Sequence, residues 1–131
     1  MAFLIDTNIA IHIRDGHETV VKNFNLNAGS VMMSALTMAE LQRGVFKYPA
    51  NTAIRQSRLK TMLEYIPVLP FDTAAAEAYG EIISLCGWVK GRDFDRMIAA
   101  HAISARAVLV TNNARDFHDI PRLSVENWAS L

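Results

Sequence analysis

Phe3-Leu4-Ile5-Asp6-Thr7-Asn8 begins with three apolar residues that run into a carboxylate and a small polar pair. A short unbroken apolar run ended by polar residues is the pattern of a strand buried on both faces, as in the middle of a parallel sheet. In an open α/β sheet, ligands bind beyond the carboxyl ends of the strands, and Asp6 stands at that end. A carboxylate at the lip of a core is costly unless it is paired or meets a cation. Other acids arriving at the same place would therefore mark a site. A second run of this kind, Ala107-Val108-Leu109-Val110, gives way to Thr111-Asn112-Asn113. Val31 to Ser34 is a further short strand candidate. Ile66 to Leu69, bounded by Pro67 and Pro70, reads as a short or edge strand. Ser124-Val125-Glu126 reads as a last edge strand packed down by Trp128.

Helical patterns fill the intervals. Thr7-Asn8 offers a cap for a first helix over Ile9 to Ile13, broken at Asp15-Gly16. A second short helix is expected from about Glu18 to Phe24, before the turn-rich Asn25 to Ser30. A third starts near Ser34 or Thr37 and carries Leu36, Glu40 and Gly44 four apart. Glu40 flanks the buried face one turn in, where a glutamate serves either as a solvated helical residue or as a site acid. Tyr48 to Asn51 is a break. The helix expected from Asn51 to about Tyr65 carries apolar Ile54, Leu59, Met62 and Leu63 between basic residues. This pair of helices presents either a solvated face or a hairpin that meets a partner. Asp72 caps the next helix, and Gly87 ends it. Trp88-Val89-Lys90-Gly91-Arg92 is then a loop. Asp93 suits the cap of the most apolar helix, in which Asp95 shares a face with Ile98, Ala99 and Ala102. The helix macrodipole favours an anion there, but an acid on the buried side of a first turn is also a site candidate.

Strands alternating with helices predict an α/β fold with a short, mainly parallel sheet flanked by helices. The 131 residues fit one domain, 1–131, and a composition 51% hydrophobic and 20% charged is that of a packed globular chain. A net charge of zero argues against a strongly basic nucleic-acid binder, though not against an enzyme acting on nucleic acid. The lone Cys86 cannot form an internal disulfide, and no leader-like stretch is evident, which together point to the cytoplasm. No apolar run approaches the ~20 residues of a membrane span.

The fold class would bring Asp6, Glu40, Asp95 and Asp116 toward one sheet edge. Clustered carboxylates repel and need a cation between them. An all-oxygen set suits Mg²⁺ or Mn²⁺, and such a site supports phosphoryl-transfer chemistry. His12, His17, His101 and His118 lack metal-ligand spacing, and Cys86 reads as helix packing. A haloacid-dehalogenase-like phosphatase would need a second Asp where Asn8 stands. A receiver-type domain would need paired acids at the end of the first strand.

Leu4-Ile5-Asp6-Thr7-Asn8, Thr37-Met38-Ala39-Glu40-Leu41, Phe94-Asp95-Arg96-Met97-Ile98-Ala99-Ala100-His101-Ala102, Val110-Thr111-Asn112-Asn113 with Asp116-Phe117, and Val125-Glu126-Asn127-Trp128 occur in this order over nearly the whole chain. In that order they resemble a PIN-domain protein, and more narrowly a VapC-type toxin ribonuclease of a toxin–antitoxin pair. The resemblance implies a PIN-like three-layer fold. It also implies Mg²⁺- or Mn²⁺-dependent endonucleolytic cleavage of RNA that leaves a 5′-phosphate and a 3′-hydroxyl. Asp6, Glu40 and Asp95 match the metal-holding acids, and Asp116 matches a fourth acidic position. Asn8, Thr111 and Asn112 match the polar residues lining the site. Asp93 departs from the pattern and reads either as a cap or as a modifier of metal affinity. The implied partners are RNA (tRNA or another structured RNA), a second copy in a homodimer, and a VapB-like antitoxin. The antitoxin's tail would cover a groove near the acids, with the helical pair around residues 37 to 63 as docking surface. Lys90, Arg92, Arg96 and Arg115 flank the acidic motifs as candidate phosphate contacts. A PIN-like module that only binds RNA or a partner is the non-enzymatic alternative; the presence of all four acids weighs against it.

Overall fold

The computed structural model describes residues 1–130. Strands β1 (Phe3–Ile5), β2 (Val31–Ser34), β3 (Val68–Leu69), β4 (Val108–Val110) and β5 (Val125–Glu126) form one sheet in the order β3-β2-β1-β4-β5. Every pairing is parallel, with Ile5 beside Met33 on one flank and Val110 on the other. The helices are α1 (Thr7–Asp15), α2 (Glu18–Leu26), α3 (Ala35–Lys47), α4 (Thr52–Leu63), α5 (Thr73–Cys86) and α6 (Asp93–Ser104).

Side chains alternate across a strand, so each strand feeds two cores. Phe3, Ile5, Val31, Met33 and Val110 point to one face, where Ile9, Val20, Leu41, Val45, Leu59 and Met62 of α1–α4 cover them. Leu4 and Leu109 point to the other, against Ile82 of α5 and Ile98, Ala99 and Ala102 of α6. The result is three layers. Each fully buried Leu, Ile or Val contributes about 1.5–3 kcal/mol, which explains why strands of three or four residues hold the centre.

The sheet grows from β1 in one direction through β2 and β3, then jumps back across β1 to β4. The carboxyl ends of β1 and β4 therefore flank a topological switch point, where α/β sheets open a crevice. Both apolar runs that end in small polar residues finish there.

Three local starts differ from expectation. α1 begins at Thr7 because Asp6 itself is the cap, its Oδ1 accepting from the Ile9 amide at 3.0 Å. α4 begins at Thr52, after a 3-10 turn at Pro49–Asn51 that absorbs the expected first residue. Asp93 does not cap α6: its Oδ1 accepts from Tyr79 Oη at 2.9 Å and Trp88 Nε1 at 2.8 Å, which ties the loop after α5 to the start of α6. The remaining caps follow the pattern, with Ser34 on α3, Asp72 on α5, and Gly87 ending α5 at φ +79°. The short β3 lies at the sheet edge.

Candidate active site

Asp6 leaves β1 at the switch point, and its own amide donates to Val110 O at 2.9 Å. It is 7% exposed. Burial pushes its pKa up from 3.8 to about 6, the nearby charges of Asp95 and Glu40 add to the rise, and hydrogen bonds from the Thr111 side chain and the Ile9 amide oppose it. Glu40 reaches the same region from the second turn of α3. Thr7 Oγ1 donates to Glu40 Oε1 at 2.6 Å and lies 3.3 Å from Thr37 Oγ1. Thr37 is fully buried, so Glu40 is steered through Thr7 by a fixed neighbour.

Asp95 sits in the first turn of α6. The residue is solvent-exposed rather than buried, because in the first turn of α6 the face predicted as buried opens onto the cavity. Partial withdrawal of the carboxyl from water raises its pKa, with the charges of Glu40 and Asp116 adding and Arg92 opposing. Asp116 stands farther out, in the 3-10 turn Ala114–Phe117, and its Oδ1 pairs with Arg92 Nη1 at 3.1 Å. Asn8 is exposed, Thr111 is fully buried, and Asn112 Oδ1 is buried with no hydrogen-bond partner.

Asp6, Thr7, Asn8, Glu40 and Asp95 line a cavity of about 410 Å³. Among the described residues, no three Asp, Glu, His or Cys side chains stand close enough to hold one ion between them. The donor set is nevertheless all oxygen, and neighbouring carboxylate charges add to the raised pKa of Asp6 and Asp95. That combination fits a hard divalent cation held by one or two carboxylates that keeps several of its waters, the usual habit of Mg²⁺. The unsatisfied Asn112 oxygen is a further acceptor at the end of β4.

The PIN domain model matches residues 3–123. This chain belongs to the PIN domain family. Ribonuclease VapC2 of Rickettsia felis is 34% identical over 134 residues, covering 98% of each chain. The tRNA(fMet)-specific endonuclease VapC of Shigella flexneri is 36% identical over 98% of this chain and 99% of its own. Among solved structures, VapBC2 from Rickettsia felis bound to a promoter DNA fragment contains a chain matching at TM-score 0.86 and 34% identity, over 98% of this chain and 99% of that one. DNA-bound VapBC from Salmonella typhimurium matches at 0.87 and 32%, over 98% of both.

This PIN domain treats the four expected phosphate contacts differently. Lys90 and Arg115 are exposed. Arg92 is engaged by Asp116. Arg96 does not face the crevice: it is buried, and its Nη2 donates to both carboxylate oxygens of Asp119 at 3.2 and 2.9 Å. None of the four histidines lines the cavity that holds the acids. His17 Nδ1 caps α2, and His12 stacks on His17. His118 bonds Arg115 O, and His101 bonds Ser34 in the core. Cys86 is half-buried, with Sγ donating to Asp119 O at 3.4 Å.

Two features of the PIN domain site are not evident from the sequence. Thr7 reads there as a cap, yet it lines the cavity and holds Glu40, and its position beside Asp6 is the signal for that. Arg43 and Lys47, which line the same cavity, are absent from the residues singled out in the sequence, and Arg55, which lines it too, reads there as part of a solvated face. The spacing of Glu40, Arg43 and Lys47 along one side of a helix was the available signal.

Proposed function

We propose that this PIN domain is the toxin of a toxin–antitoxin pair, a Mg²⁺- or Mn²⁺-dependent endoribonuclease of the cytoplasm that hydrolyses phosphodiester bonds of tRNA or another structured RNA. The observation that carries the proposal is the meeting of Asp6, Glu40 and Asp95 around one cavity at the switch point, with burial and mutual repulsion raising the carboxyl pKa of Asp6 and Asp95. Repelling carboxylates at a crevice are the counterpart of a cation, and relatives of this length and identity are named as ribonucleases.

In this reading Asp6, Glu40 and Asp95 would bind the cation, one or two of them directly and the rest through its retained waters, with Asp116 at the rim. A divalent ion so held lowers the pKa of a bound water and offsets charge on the phosphoryl oxygens. Thr7 fixes Glu40, Thr111 and the Ile9 amide fix Asp6, and Asn8 and Asn112 orient water or substrate at the strand ends. Attack of water on phosphorus breaks the bond to the 3′ oxygen, which leaves as a hydroxyl while the phosphate stays on the 5′ side.

Structural neighbours are VapBC assemblies bound to DNA, which supports a VapB-like antitoxin as partner of this chain, and we propose a homodimer as part of the same reading. An apolar groove of about 270 Å³ between α1, α2 and α4, lined by Ile13, Phe24, Met62, Tyr65 and Ile66, suits an apolar segment of such a partner. Among the described residues no helix is long and apolar enough to cross a membrane.

The test is incubation of the antitoxin-free chain with total tRNA and a structured RNA, in Mg²⁺, Mn²⁺ or chelator, beside Asp6→Ala and Asp95→Ala. Discrete cuts that need the metal and vanish in both variants are expected. Equal cutting by either variant refutes the site, and no cutting of any RNA refutes the activity.

A further inference from the structure

The cavity that holds the acids also carries a basic stretch of wall, beside which Asp15 is the one further acid. Glu40, Arg43, Gly44 and Lys47 follow one another along one side of α3, and Glu40 to Lys47 spans about 10 Å of helix. Arg55, from the first turn of α4, closes over the same stretch: its Nη1 donates to Gly44 O at 2.8 Å. Resting on the proposal that the substrate is RNA, we infer that this wall is the track for the RNA backbone, with Arg43, Lys47 and Arg55 as its phosphate contacts and Gly44 as the point of closest approach.

The first reason is charge. The chain has no net charge, and several other arginines are already matched: Arg14 and Arg58 with Asp15, Arg92 with Asp116, Arg96 with Asp119, and Arg122 with Glu81. Among the described residues, Arg43, Lys47 and Arg55 form no ion pair. Acids alone would repel a phosphate chain, so a polyanion needs a basic surface leading to them.

The second reason is preorganisation. Lys47 Nζ and the Arg55 guanidinium lie 5.5 and 5.4 Å from the centre of the half-exposed Tyr48 ring. Contact with one ring restrains both cations, and Arg55 spends a single N–H on Gly44, leaving most of its five donors free.

The third reason is Gly44. A glycine inside a helix costs roughly 0.5–1 kcal/mol relative to alanine. Gly44 does not have the positive φ that would demand glycine, and a Cβ there would meet only Arg14 Nη1, at 4.0 Å, an ordinary contact. Neither backbone nor packing explains it, whereas the space a longer side chain would take is the cavity itself.

The experiment measures binding of a fluorescein-labelled single-stranded oligoribonucleotide to the antitoxin-free protein in chelator, by anisotropy across a KCl series. Each phosphate contact on a single strand contributes about −0.7 to the slope of log K against log salt. Arg43→Gln/Lys47→Gln should therefore flatten the slope by about 1.4 and weaken binding at least tenfold, while a control at two exposed lysines outside the cavity, Lys22→Gln/Lys60→Gln, changes neither by as much. Gly44→Met should weaken binding about tenfold with an unchanged or higher Tm, since methionine is the better helix former. In Mg²⁺, both wall variants should raise KM for RNA and keep kcat near that of the parent. An unaltered slope and affinity in the double variant overturns the track, as does failure of the parent to bind RNA at all. Loss of binding to an acidic peptide with RNA binding intact overturns it in favour of a protein partner. If the parent binds RNA through this wall and cuts none, the ribonuclease reading fails and the track stands.

Discussion

Replacing Asp6 with asparagine tests the electrostatics of the site without chemistry. The pKa of Asp6 rises from 3.8 to about 6 on folding, mainly through burial. Between those pH values the unfolded chain releases a proton that the folded chain keeps, so stability falls as pH rises from 3.8 to 6. Above 6 the cost is fully present, and below 3.8 it is absent. At 1.36 kcal/mol per pKa unit, it amounts to about 3 kcal/mol in the metal-free protein. Asparagine removes the charge and still offers an oxygen to the Ile9 amide, so the cap on α1 survives. Alanine would forfeit the cap and blur the comparison. Asp6→Asn should thus be more stable than the parent by about 3 kcal/mol at pH 7.5, a Tm rise of roughly 10 °C for a chain of this size. The gain should shrink through the window from 6 to 3.8 and vanish below it. Urea unfolding in chelator at pH 7.5, 5 and 3.5 reads this out. A gain under about 1 kcal/mol at pH 7.5, or one that persists undiminished at pH 3.5, would falsify the argument that a buried, unneutralised charge sits at the end of β1.

Three further outcomes follow from the same geometry. Millimolar Mg²⁺ should raise the parent's Tm and leave Asp6→Asn nearly unmoved, because the ion offsets the charge that the variant lacks; an equal rise in both would place the ion elsewhere. Thr7→Val breaks the 2.6 Å bond to Glu40 and should lower apparent metal affinity about 10- to 100-fold, measured by Mg²⁺ titration of cleavage, while stability changes by about 1 kcal/mol. Asp119→Ala strands the buried Arg96 guanidinium and should cost about 2–3 kcal/mol in urea unfolding. Arg96→Met should cost less and leave KM for RNA unchanged; a raised KM would return Arg96 to the phosphate contacts.

What the chain reveals before folding depends on how local the cause is. Asp6 and Thr111 are legible because an apolar run that stops at a polar residue encodes both a buried strand and its exit. Glu40 and Asp95 are legible as positions on a helix face, but their surroundings are not. Periodicity puts Asp95 on the stripe of Ile98 and Ala102 but does not show that the first turn of α6 opens onto the cavity. Charge pairing is the least local property. Arg92 and Arg96 stand beside the Asp95 motif in sequence, which made them candidates for phosphate, yet the fold brings Asp116 and Asp119 to them. Arg43, Lys47 and Arg55 resemble any solvated helical charges until the fold places them on the cavity with no ion-pair partner among the described residues. Of the cations without an ion-pair partner among the described residues, Arg43, Lys47 and Arg55 line the cavity that also holds Asp6, Glu40 and Asp95. A crevice with carboxylates on one side and free cations on the other can hold a divalent ion and a phosphate chain together, which is the arrangement that hydrolysis of a polyanion requires.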